Sequence, residues 1–240
     1  MAGPSRGMHT TIEHGPSYAL AHVQLFCGEQ LRIESGAMAA HSAGVELDGK
    51  MRGGVLTSLM RGALGGESVF LTTCTAPTAG GWVDLAPVLP GDVFTVDVAE
   101  SFLLTRGSFL ACSPELELTV KLAGLGKFLG GEGGFLVQAL GRGTLIGSCF
   151  GALRRHQLEP GQTITVDAGH LVGHHPTVTT RLRKATRGIL RTLKTGEGFV
   201  FDVTGPGELL TQSRNPSEYL DWLDRRISDT SGVTVSVGSR

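Results

Sequence analysis

Three times, at an equal spacing of 65 residues, the chain places a Gly-Glu step ahead of an apolar run. Gly66-Glu67 precedes Val69 to Thr73, Gly131-Glu132 precedes Phe135 to Leu140, and Gly196-Glu197 precedes Phe199 to Val203. Periodicity at this length marks an architecture built from related supersecondary units, so it constrains the fold more than any single motif. Each step also follows an apolar and basic stretch, at 55–61, 125–129 and 188–194, which reads as a helical turn or short helix. The glycines Gly66, Gly131 and Gly196 are expected at equivalent turns. The glutamates Glu67, Glu132 and Glu197 are expected to accept backbone hydrogen bonds there rather than to form an acid cluster.

The flanks add strand and turn signals. Gly141-Arg142-Gly143 and Gly205-Pro206-Gly207 read as tight turns into returning strands at 144–148 and 208–211. Pro90-Gly91-Asp92-Val93 matches Pro160-Gly161-Gln162-Thr163, and each is followed by an alternating run. Upstream, Glu34 to Ala40 is similar to Thr105 to Ala111. After Thr211 the pattern changes. Asn215 is placed to cap a helix with Pro216 at its first position and Tyr219, Leu220, Trp222, Leu223 and Ile227 on its apolar side.

Short strands divided by Gly and Pro turns argue for a mainly β sandwich or helix-like β architecture with a few short helices. The 36 glycines in 240 residues, about twice the usual share of about 7%, fit a chain with many tight turns. One repeat of this composition would bury too little surface to stand alone, so residues 16–227 are read as a single unit. Residues 1–15 are read as a mobile tail, and 228–240 as a polar C-terminal tail.

Taken together, the recurrent Gly-Glu steps, the Pro-Gly turns and the closing Leu210-Thr211-Gln212-Ser213-Arg214-Asn215-Pro216 before a helix resemble the mitochondrial biogenesis family, named in yeast for altered inheritance of mitochondria. The resemblance spans roughly residues 18 to 224. It implies a fold like the tryptophan RNA-binding attenuator protein, a duplicated double-stranded β-helix or β-sandwich here carrying three related segments, short helices and a C-terminal helix. It also implies assembly as a homotrimer, and it carries over no catalytic residue.

Charge sets limits on partners. With 21 basic and 22 acidic residues the formal charge is -1, so no global field draws the chain to nucleic acid or an anionic membrane. One local exception is the run from Arg181 to Lys194, where Arg181, Arg183, Lys184, Arg187, Arg191 and Lys194 stand without an acid among them. It is read as a solvated helix face, with anion, RNA or lipid contact as the alternative. No stretch reaches the roughly 18 apolar residues of a membrane span, and no signal-like run opens the chain, so the expected address is the cytoplasm.

Chemistry-bearing residues are sparse. Cys27, Cys74, Cys112 and Cys149 are spaced too widely for a metal pair or a compact disulfide scaffold and are expected as free thiols. His170 and His174, with Asp167 as an oxygen donor, are the best metal candidates. Because adjacent strand residues face opposite ways, His174 and His175 are expected as surface-turn histidines and no metal or other cofactor is assigned. No nucleophile elbow occurs. The resulting expectation is a non-catalytic scaffold or interaction protein acting through homo-oligomerisation. A small-ligand or nucleic-acid binding module is the alternative, and an uncharacterised enzyme comes third.

Overall fold

The computed structural model describes residues 8–49, 71–125, 134–184 and 199–230. The described chain is mainly β, with one C-terminal helix. A lone leading strand, β1 (His9–Glu13), is followed by eighteen strands that fall into three sets of six. The first set is β2 (Leu20–Leu25), β3 (Gln30–Glu34), β4 (Met38–His41), β5 (Glu46–Asp48), β6 (Leu71–Thr75) and β7 (Gly81–Leu85). The second is β8 (Val93–Val98), β9 (Ser101–Thr105), β10 (Phe109–Cys112), β11 (Glu117–Leu125), β12 (Gly134–Leu140) and β13 (Gly143–Ser148). The third is β14 (Leu153–Leu158), β15 (Thr163–Asp167), β16 (Leu171–His174), β17 (Thr179–Lys184), β18 (Phe199–Thr204) and β19 (Gly207–Gln212). Helix α1 (Pro216–Thr230) ends the described chain.

Pairing follows one rule in every set. The last strand pairs with the first and the third, and the fifth pairs with the second and the fourth, always antiparallel. Successive sets are then stitched by the second strand of one against the third of the next, β3 to β10 and β9 to β16. The result is four sheets, ordered β1-β2-β7-β4, β5-β6-β3-β10-β13-β8, β11-β12-β9-β16-β19-β14 and β15-β18-β17.

Three apolar clusters lie between these sheets. The first joins β2 and β7 to β3, β10 and β13; the second takes residues from the two six-stranded sheets; the third joins β16 and β19 to β15 and β18. Each six-stranded sheet is therefore buried on both faces. Neighbouring residues show it, because Ile146 enters the first cluster and Leu145 the second, while Leu210 enters the second and Leu209 the third. This is why β9, β13 and β19 are buried at three or more consecutive positions, whereas β2 at the margin alternates, with Ala21, Val23 and Leu25 inward.

Several expectations are corrected. Residues 9–13, read as part of a mobile tail, form β1 and pair with β2 from His9↔Gln24 to Glu13↔Leu20. Residues 228–230, read as tail, continue α1. The two Pro-Gly units are not equivalent: Pro90-Gly91 leads into the first strand of its set, and Pro160-Gly161 turns between the first and second strands of the next. Gly161 takes φ +76°, whereas Gly91 forms a parallel bridge with Gly151. The three Gly-Glu steps, and the short helices expected at 55–61, 125–129 and 188–194, lie outside the described residues, except that Leu125 ends strand β11. Each step falls in the connection between the fourth and fifth strands of a set.

Candidate functional site

Each set turns from its second to its third strand through a short Gly-containing link: Ser35-Gly36-Ala37, the 3-10 turn Arg106–Ser108, and the 3-10 turn Ala168–His170. These three links and the residues leaving the three last strands line one cavity of about 580 Å³, with walls from 34–37, 86–89, 105–110, 148–150, 168–171 and 212–220. Its floor is buried, formed by Ala37, Ser108, Leu110, Ser148, Cys149 and Leu171. Its mouth is apolar and open, with Val88 93% exposed on one side and Leu220 of α1 60% exposed on the other.

The polar side chains around it are engaged in holding the links. Thr105 Oγ1 donates to the Val172 carbonyl at 3.1 Å and lies 3.0 Å from Ser108 Oγ. Gln212 accepts the Phe150 N–H at 2.9 Å through Oε1 and donates to the Gly169 carbonyl at 2.9 Å through Nε2. His170 Nδ1 donates to the Gln212 carbonyl at 2.7 Å. Asn215 opens α1 by accepting the Ser217 N–H at 3.0 Å, and its Nδ2 reaches Asp167 Oδ1 at 3.4 Å. Asp167 in turn accepts the Gly169 N–H at 3.0 Å.

The metal candidates are thus distributed among separate tasks. Asp167 caps the 3-10 turn and His170 fastens it to β19, while His174 is only 5% exposed at the end of β16, not on a surface turn. Its Nδ1 donates to the His175 carbonyl at 2.9 Å, and its Nε2 is buried without a hydrogen-bond partner. Burial pushes its pKa below the ordinary value, the bond to the His175 carbonyl opposes that, and the charges of His175 and Lys121 add to the lowering. Among the described residues, no three His, Cys, Asp or Glu side chains converge as a metal site.

The basic segment is corrected as well. Arg181, Arg183 and Lys184 lie on strand β17 rather than on a helix, and Arg187, Arg191 and Lys194 lie outside the described residues. Arg183 grips Asp202 on β18 through two bonds, Nε to Oδ2 at 2.7 Å and Nη2 to Oδ1 at 3.0 Å. That bidentate pair, with Thr165 donating to the same carboxylate at 2.8 Å, holds Asp202 below the usual carboxylate range. Lys184 sits over the Phe199 ring at 5.9 Å.

The cavity went unseen in the sequence. Its one visible trace was the likeness of 34–40 to 105–111, which are corresponding links; the third, Asp167 to Gly173, shares only its glycine and its place in the pairing scheme.

A family model described as mitochondrial biogenesis AIM24 matches residues 10–214, from β1 through the last strand. The chain belongs to the mitochondrial biogenesis AIM24 family. An uncharacterized protein of Streptococcus pyogenes serotype M6 is 30% identical over 233 residues, 93% of each chain. A crystal structure of a Streptococcus pyogenes protein is similar with a TM-score of 0.74 at 27% identity, covering 91% of this chain and 99% of that one. The family match takes in most of the cavity wall, and α1 beyond Arg214 lies outside it. No helix among the described residues is long and apolar enough to cross a membrane.

Proposed function

We propose that this family member is a non-catalytic scaffold or interaction protein that works through homo-oligomerisation, with three copies, and through partner binding. The observation that carries the reading is a pair of strand edges. β3 pairs with β10 and β9 with β16, but among the described residues the next strands in that series, β15 and β4, have no partner across the same seam. In the two ladders that form, a branched residue stands opposite a small one, Ile33 with Ala111 and Leu104 with Gly173. By position in their sets, Val166 and Ala40 repeat that combination on the open edges. Exposed edges of this kind are templates for a second chain. A head-to-tail contact of β15 with β4 of the next copy is heterologous, and a rotation of one third of a turn per copy closes such contacts into a three-membered ring.

Partner binding is supported by α1, which presents Leu220, Trp222 and Ile227 to solvent. Light scattering coupled to size exclusion tests the assembly. A mass nearest three times 25.2 kDa is expected, and the Ala40→Lys variant, which places a charge on the β4 edge, should shift it towards the single chain. A single chain persisting at tens of micromolar defeats the reading.

A further inference from the structure

We infer that the cavity beneath the three links is a binding site for an uncharged, largely apolar small molecule. This does not depend on the scaffold reading. Three observations meet. The volume, about 580 Å³, lies inside the range of small-molecule sites, roughly 300–1,000 Å³. The wall is more apolar than polar, because Thr105, Gln212 and Asn215 spend their polar atoms on the links and on the N-terminus of α1, and the further polar side chains Ser35, Ser148 and Ser217 bring only neutral hydroxyls. Glu34 is the one charged side chain among the lining residues.

Those facts select the ligand's charge. An anion entering this wall gives up its hydration and meets no cationic side chain among the described lining residues, which is a heavy desolvation cost without compensation. A neutral apolar molecule loses little hydration, packs on the apolar floor and removes from water the exposed Val88 and Leu220 at the mouth. The floor is already formed, since Leu110, Cys149 and Leu171 are buried in the free chain.

The position also ties the ligand to the whole molecule. All three strand sets contribute a link to the same space, so an occupant touches each of them and stabilises their relative placement. Ligand binding to the folded state alone raises the unfolding midpoint, and saturation at 100 times the dissociation constant corresponds to about 2.7 kcal/mol.

Gly107 supplies a clean blocking variant. A Cβ built on Gly107 meets no atom within 4 Å, so a large side chain there enters open space rather than the core. The test titrates the full chain with the neutral fluorophore N-phenyl-1-naphthylamine and displaces it with n-dodecanol or with dodecanoate. The expected result is saturable fluorescence gain, displacement by the alcohol at concentrations at least tenfold lower than by the carboxylate, and at least tenfold weaker probe binding in Gly107→Trp. Leu220→Asp, at an exposed position on the mouth, should weaken binding as well and serves if Gly107→Trp does not fold by circular dichroism. Absence of saturable gain, equal displacement by the anion, or unchanged binding in both variants overturns the proposal. Light scattering on the same samples keeps the two readings apart, since probe binding at an unchanged single-chain mass defeats the assembly and leaves the ligand site standing.

Discussion

Gly91 packs so closely on Cys149 that a β-carbon on residue 91 would overlap the Cys149 carbonyl oxygen. The contact is part of a seam between strand sets. Gly151 N–H donates to the Pro90 carbonyl at 3.1 Å, Asp92 N–H donates to the Gly151 carbonyl at 2.9 Å, and Ala19 N–H donates to the Gly91 carbonyl at 2.9 Å. The entries to the three first strands are thereby fastened side by side. Replacing Gly91 by Ala forces backbone apart on that seam, and overpacking of this type costs about 1–3 kcal/mol. The urea midpoint of Gly91→Ala should fall accordingly, while Gly161→Ala, at a turn with open space around it, is limited to the smaller strain of its positive φ.

Arg32 is the second fastening between the first and second sets. From β3 its Nη2 donates to the Pro114 carbonyl at 2.9 Å and also to the Leu116 carbonyl, closing the turn between β10 and β11. Arg32→Ala leaves those carbonyls without a charged donor, and the expected loss is about 2 kcal/mol by urea unfolding. Arg32→Lys should recover only part of it, because both carbonyls are met by the terminal Nη2 and a lysine side chain ends one bond short of that position.

Much of the architecture was open to sequence reasoning because its signals are local. Gly141 takes φ +113° between β12 and β13, as a tight turn of that composition demands, and Asn215-Pro216 marks the start of α1 to the residue. What was hidden depends on pairing. β1 is polar, with four of five residues exposed, so nothing in His9 to Glu13 announces a strand until β2 lies beside it. The segment from Arg181 to Lys184 looked like the start of a basic helix, but its register with β18 places it in an edge strand. The cavity was the least legible feature, since its walls are short links whose glycines, Gly36, Gly107 and Gly169, stand 71 and 62 residues apart in sequence, each unremarkable alone.

His174 sets a pH dependence. Its pKa in the folded chain is lowered from 6.5 by burial, so between that value and the lower folded value the unfolded chain binds the proton and the folded chain does not. Its contribution is therefore fully present above pH 6.5 and is lost as the pH falls below it. Urea midpoints measured from pH 7.5 to 5.5 should decline, and His174→Gln should flatten the slope while lowering the midpoint at pH 7.5. An equal slope in the variant would assign the dependence to other groups.

The four cysteines should separate by reactivity. Cys27 is exposed in the turn between β2 and β3, whereas Cys74, Cys112 and Cys149 are buried, and burial pushes each of those thiols up to about 11. The thiolate is the reactive form, so low access and a raised pKa act in the same direction. A disulfide reagent at pH 8 should titrate one thiol per native chain quickly and all four in denaturant. Cys149 adds a finer measurement, because it forms part of the cavity floor. Its slow modification in the native chain requires the reagent to enter through the mouth between Val88 and Leu220. Gly107→Trp should slow that phase further, and n-dodecanol should slow it in the wild-type chain by a larger factor than it slows Cys74 and Cys112, which do not line the cavity and feel the ligand only through the stability of the whole fold.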